Sequence, residues 1–181
     1  MRSDDAEEMS DAAITLTTDR SNLILRELTN NHVDPYYALI DGNRVHLNQH
    51  GNYQFEHDAD ADAIRSYFEK PWDANVRLGI WFDEHLVGRV DLNPIDPPKW
   101  VLGYWLDEAS TGRGIATSAS RAAIAHAGRL GATEIYAGVT NGNAPSIRVL
   151  ERLGFEHIQD VEDRSRWRLP LIKSPPPPVM E

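Results

Sequence analysis

The apolar positions fall into short runs whose spacing changes from two to between three and four and back, and each change marks an element. Leu23 to Arg26 reads as a strand, Asn31 to Ile40 as a helix, and Asp60 to Glu69 as a second helix stopped by Pro71. Val76 to Phe82 and Leu86 to Leu92 are apolar runs on either side of the polar turn Asp83-Glu84-His85, a predicted hairpin. An aromatic run, Trp100 to Leu106, predicts another strand and is followed by an alanine-rich helical run from Thr117 to Leu130. A strand from Ile135 to Thr140 then leads to a helix with Pro145 near its start and Gly154 just past its end. No internal repeat is visible. The acidic, small-residue start (1–19) and the proline-rich end (173–181) read as unstructured tails around one domain, 20–172.

Composition narrows the class. With 181 residues, 41% of them apolar, the chain buries a full core as a single domain. Cysteine is absent, which removes disulfides, thiolate metal sites and a cysteine nucleophile, and fits a reducing cytoplasm. No apolar run approaches the length of a membrane span, and no signal-type stretch is present. A net charge of −10, without a basic stripe, disfavours nucleic acid and favours approach of a cationic amine.

Candidate chemistry begins at Thr111-Gly112-Arg113-Gly114-Ile115-Ala116, between the aromatic strand and the alanine-rich helix. Two glycines let successive amides turn toward one anion, and the helix start adds unpaired amides and its dipole. Each favourable charge at such a terminus contributes only ~0.3–1 kcal/mol, so several amides must act together, which points to a polyphosphorylated ligand. A Walker loop requires Lys and then Ser or Thr after its last glycine, where this chain has Ile115 and Ala116. A dinucleotide fingerprint has a third glycine where this chain has Thr117. A purely structural tight turn remains the plain alternative.

A second constellation, Asn143-Ala144-Pro145-Ser146, opens the last helix. Residues three apart in a first turn project to one side, although Asn143 acting as a helix cap accounts for the same spacing. Two metal-like patterns are weaker. Asp58, Asp60, Asp62 and Glu69 have calcium-loop spacing, but Ala63 stands where the turn needs glycine, and His46 and His50 lack a third ligand. No metal is expected.

Together the two constellations resemble the GNAT superfamily of acyl-CoA-dependent N-acyltransferases, in particular its RimJ/RimL-like branch, which acetylates protein N-termini and small amines. The resemblance rests on Leu102-Gly103-Tyr104-Trp105-Leu106-Asp107-Glu108, the loop Gly112 to Thr117, and Asn143-x-x-Ser146 running into Val149 to Phe155, with support from Leu25 to Leu28, Asp41 to Arg44 and Leu86 to Leu92. It covers about residues 20 to 170. Two positions depart from the family pattern. Thr111 stands where Q/R-x-x-G-x-G/A begins with Gln or Arg, and Leu150 stands where many members carry a tyrosine acid.

The resemblance implies an α+β fold: a mostly antiparallel sheet of six to seven strands, splayed between its fourth and fifth, with helices on both faces. Those strands are expected at about Trp100–Leu106 and Glu134–Thr140. Acetyl-CoA is the implied co-substrate, held by Leu106, Gly112, Arg113, Gly114, Ile115, Ala116, Thr117 and Asn143. Ser146 is the implied acid for the departing thiolate. Arg44, His50 and Asp91 are the implied acceptor-side residues, and Asp91, His50 and Glu162 are candidate bases. The implied partners are an acyl-CoA and a primary amine, with no nucleic acid or membrane, for a cytoplasmic monomer or homodimer. A non-catalytic acyl-CoA sensor of the same fold is the alternative.

Overall fold

The computed structural model describes residues 13–49, 53–69 and 75–171. Eight strands form one sheet in the order β1-β2-β3-β4-β5-β6-β8-β7. They are β1 (Thr15–Thr17), β2 (Leu23–Glu27), β3 (Val76–Phe82), β4 (His85–Asp96), β5 (Lys99–Leu106), β6 (Glu134–Thr140), β7 (Glu156–Val161) and β8 (Arg164–Pro170). The helices are α1 (Val33–Asp41), α2 (Arg44–Leu47), α3 (Gln54–Asp58), α4 (Ala61–Glu69), α5 (Ile115–Arg129) and α6 (Ala144–Leu153).

The strand count corrects the expected six to seven. The eighth strand is β1, which pairs with β2 and buries Leu16, so residues 13–19 belong to the domain rather than to a tail. Asp19 also reaches across to α5, accepting from the Ser118 hydroxyl at 2.5 Å and from Arg121 at 2.6 Å. The tail segments 1–12 and 173–181 lie outside the described residues.

Every neighbouring pair of strands is antiparallel except β5 with β6, and that parallel pairing covers only Lys99–Glu134, Trp100–Ile135 and Val101–Tyr136. Beyond it β6 continues its ladder with β8 while β5 continues with β4, so the two strands open into a wedge. The hairpin between β3 and β4 turns on Asp83 and Glu84, both with positive φ (47° and 65°), the mirror-type geometry that matches strand twist.

Alternation along the strands builds two cores. On one face Leu25, Leu78, Val90, Leu102 and Ile135 pack against Ile115, Ala119 and Ala123 of α5 and Leu150 of α6. On the other face Trp105 packs with Val33, Tyr36 and Ile40 of α1 and Ile64 of α4. Helices thus cover both faces. The alanine stripe lets α5 lie close to the sheet and aims its N-terminus at the mouth of the wedge.

Candidate active site

A cavity of about 570 Å³ occupies the wedge, and β5, the loop after it, α2 and α6 all contribute to its wall. Its floor at β5 is Tyr104, Trp105 and Leu106. After Leu106 the chain makes a short turn in which the Asp107 carboxylate accepts from the Ser110 amide at 2.8 Å and the Thr111 hydroxyl donates to the Glu108 carbonyl at 2.8 Å. Thr111 therefore uses its side chain to shape the loop.

Gly112 and Gly114 follow, with φ of +71° and +76°, a region L side chains adopt rarely. A Cβ placed on either glycine meets nothing within 4 Å. Gly114 is the N-cap of α5 and supplies no side-chain cap, which leaves the first amides of that helix for a ligand. Thr117 sits in this first turn with its hydroxyl buried and unpartnered. Open room, unclaimed amides and a buried hydroxyl together fit a phosphate group.

Gly112, Gly114, Ile115, Ala116 and Thr117 line the cavity, as do Leu106, Asn143 and Ser146. Arg113 does not. Its guanidinium lies over the Phe82 ring, 4.6 Å from the centroid, and its carbonyl accepts from Arg20 at 2.9 Å. The expected loop cation is thus turned toward β3, because a planar guanidinium gains contact on an aromatic face.

On the opposite wall Asn143 Oδ1 accepts from the Ser146 amide at 3.2 Å, the capping bond that its spacing allowed. Ser146 is half-buried, and the Tyr104 hydroxyl donates to its carbonyl at 3.4 Å. Burial raises the Tyr104 hydroxyl above its ordinary range, with a hydrogen bond to Ser146 acting in the other direction. Tyr53 lines the same region, donates to the Tyr104 carbonyl at 3.3 Å, and is pushed up to about 12 by burial. Both phenols stay protonated at neutral pH.

Three acceptor-side expectations fare differently. Arg44 is spent on structure: it pairs with Asp41 at 3.0 Å and donates to the carbonyls of Glu56, His57 and Ala59. Asp91 does not line the cavity; it is paired with the buried Arg89 at 2.8 Å, and burial raises its carboxyl above the usual range against the pull of Arg89. His50 lies outside the described residues. Glu162 sits at the turn between β7 and β8, away from the cavity wall.

Of the further wall residues, Arg148 and Arg152 carry no reading in the sequence, whereas His46 enters there only as a weak metal ligand and Tyr53 as an aromatic wall of the acceptor pocket. His46 and Tyr53 belong to the segment between α1 and α4, and Arg148 and Arg152 belong to α6. Pro145, Arg148, Val149 and Arg152 recur at i, i+3, i+4 and i+7 and so share one face of α6, but Arg148 is two and Arg152 six residues from Ser146, so the placing of Ser146 alone did not point to the arginines. The calcium-like acids resolve into helix chemistry, with Asp60 accepting from the Ala63 amide at 2.8 Å and Asp62 pairing with Arg65 at 2.7 Å. Among the described residues no three His, Asp or Glu side chains gather as a metal site.

A family model for the GNAT acetyltransferase domain matches residues 22–156, which takes in the wedge, the glycine loop and α6. The chain belongs to the GNAT family. It is 32% identical over 116 residues to the ribosomal-protein-serine acetyltransferase of Escherichia coli strain K12, an alignment covering 58% of this chain and 62% of that protein. The GNAT fold is also shared with RimL, a ribosomal L7/L12 α-N-protein acetyltransferase solved with coenzyme A, at TM-score 0.77 and 20% identity over 86% of this chain and 98% of that one. RimJ of Mycobacterium smegmatis, solved with a CoA disulfide, matches at TM-score 0.75 and 20% identity over 87% of each chain. Among the described residues no helix of this GNAT domain is long and apolar enough to cross a membrane.

Proposed function

We propose that this GNAT protein moves an acetyl group from acetyl-CoA to a primary amine, and that the acceptor is the α-amino group of a protein N-terminus. One observation carries the reading: a single cavity is bounded by the glycine loop at one wall and by Asn143 and Ser146 at the other, where β5 and β6 part. The relatives named for ribosomal-protein acetylation support the choice of acceptor.

In this reading the amides of Gly112 to Thr117 bind the pyrophosphate, the edges of the wedge hold the pantetheine arm, and Asn143 bonds the arm near its thioester end. Catalysis is largely placement. A neutral amine held against the thioester carbonyl attacks directly, and orientation supplies several kcal/mol of the barrier, up to ~7–11 in the best cases. The proton of an ammonium acceptor has to leave first, and the cavity wall offers the His46 imidazole and the Glu108 carboxylate to take it. Ser146 donates to the sulfur as thiolate charge develops.

The deciding experiment incubates the protein with acetyl-CoA and a panel of peptides with free N-termini, amino acids and aminoglycosides, and follows release of free CoA. Peptides should support release, and prior chemical acetylation of their amines should abolish it. The rate should rise with pH and level off as the amine or its base deprotonates. Tyr53 and Tyr104, raised by burial, stay outside that limb. Tight acetyl-CoA binding with no release above hydrolysis across the panel would make the protein a sensor.

Ser146→Ala should lower turnover roughly tenfold to a few hundredfold, at or below the usual range for a general acid, while acetyl-CoA affinity changes little. Single-turnover rates beside calorimetric affinities separate the two effects. An unchanged chemical step would leave Ser146 as a first-turn residue whose amide Asn143 caps.

A further inference from the structure

Coenzyme A carries a pyrophosphate and a 3′-phosphate, and a protein of net charge −10 has to meet that anion with positive charge near the site. The loop contributes little. Its basic residue, Arg113, lies on Phe82 outside the cavity, while Glu108 brings a carboxylate to the wall. The arginines that line the cavity are Arg148 and Arg152, both on α6.

They are four residues apart, hence one turn above the other on the helix face that also presents Val149. Both are exposed, and among the described residues neither has an ion-pair partner. Two like charges at this spacing repel each other, and a bound anion removes that repulsion. A guanidinium fork also matches phosphate oxygens in a bidentate manner.

We infer that Arg148 and Arg152 form a phosphate clamp across the cavity from the glycine loop, supplying from α6 the charge that Thr111 and Arg113 do not supply from the loop. The inference rests on the acetyl-CoA reading above. It assigns a division of labour: backbone amides of the loop on one side, two side-chain cations on the other.

Calorimetry with CoA and with 3′-dephospho-CoA tests it on the wild type, Arg148→Ala/Arg152→Ala, Arg148→Lys/Arg152→Lys and Arg65→Ala, an exposed arginine of α4 away from the cavity wall, each checked for an unchanged melting profile. The double alanine variant should bind CoA at least about thirtyfold more weakly, and the double lysine variant should recover part of that loss by keeping charge without the fork. Arg65→Ala should shift the affinity by less than about threefold, as expected of a surface charge away from the cavity. A loss seen with CoA and absent with 3′-dephospho-CoA assigns the clamp to the 3′-phosphate; an equal loss with both assigns it to the pyrophosphate. Affinity of the double alanine variant within about threefold of wild type, or an equal loss in Arg65→Ala, overturns the clamp. Failure of the wild type to bind CoA at all overturns the acetyl-CoA reading itself, and so is told apart.

Discussion

Gly114→Val should weaken acetyl-CoA binding at least about a hundredfold, equivalent to ~2.7 kcal/mol, in a protein that still folds. Two effects combine at this position. The backbone at Gly114 has φ +76°, which a β-branched residue adopts only at a cost of roughly 1–2 kcal/mol. The added side chain then projects into space where a Cβ meets nothing within 4 Å, beside the uncapped amides of α5. The variant can relieve its strain by moving the loop, but that withdraws the amides, or it can keep the loop and occupy the room a phosphate needs. Calorimetric titration of a variant with a wild-type circular dichroism spectrum measures the loss. Wild-type affinity would mean that the loop holds no phosphate.

This loop was legible because its chemistry is in the backbone. Two glycines between a strand and a helix dictate positive φ and a free helix start whatever surrounds them, and those features are present at Gly112 and Gly114. Side-chain direction was less legible. Arg113 was read as a loop cation because it is next to the glycines, yet its course is set by Phe82 on β3, far away in sequence. Arg44 was read as a binding residue, but its partners are carbonyls at the end of α3, a helix too short to show a period. Asp91 is a nearer miss: Arg89 is two residues away on the same strand face, so the pairing could have been read from alternation alone. At the start of the chain, β1 has three residues and one apolar position, Leu16, too little pattern to separate from a tail.

The largest stability effect should come from the far side of the sheet. Arg89 is buried on β4, with its guanidinium 3.0 Å from Glu56 of α3 and 2.8 Å from Asp91, and it also donates to the Tyr36 hydroxyl. Arg89→Ala removes the cation from two acids that are themselves largely out of water. Leaving buried charges unpaired in this way costs about 3–5 kcal/mol, which lowers the melting temperature of a domain this size by roughly 10 °C. The sign of the pH effect follows. Burial raises the Asp91 carboxyl and Arg89 opposes that rise, so without Arg89 it titrates higher still in the folded state than in the unfolded one; the deficit relative to wild type should be full at pH 7 and shrink as the pH falls and Asp91 takes up its proton. Adding Glu56→Gln and Asp91→Asn to the variant should restore part of the stability by removing the charges left behind. The same contact reaches the cavity. Arg89 through Glu56, and Arg44 through the carbonyls of Glu56, His57 and Ala59, tie down the segment that brings His46 and Tyr53 to the wall. At a temperature where the variant is still folded, the Michaelis constant for the amine should therefore rise by several-fold or more while acetyl-CoA affinity, which the proposed reading assigns to the loop and α6, stays near wild type. A melting temperature within about 2 °C of wild type at pH 7 would show that the buried cluster contributes little, and equal losses toward both substrates would show that it supports the whole domain instead of the acceptor side.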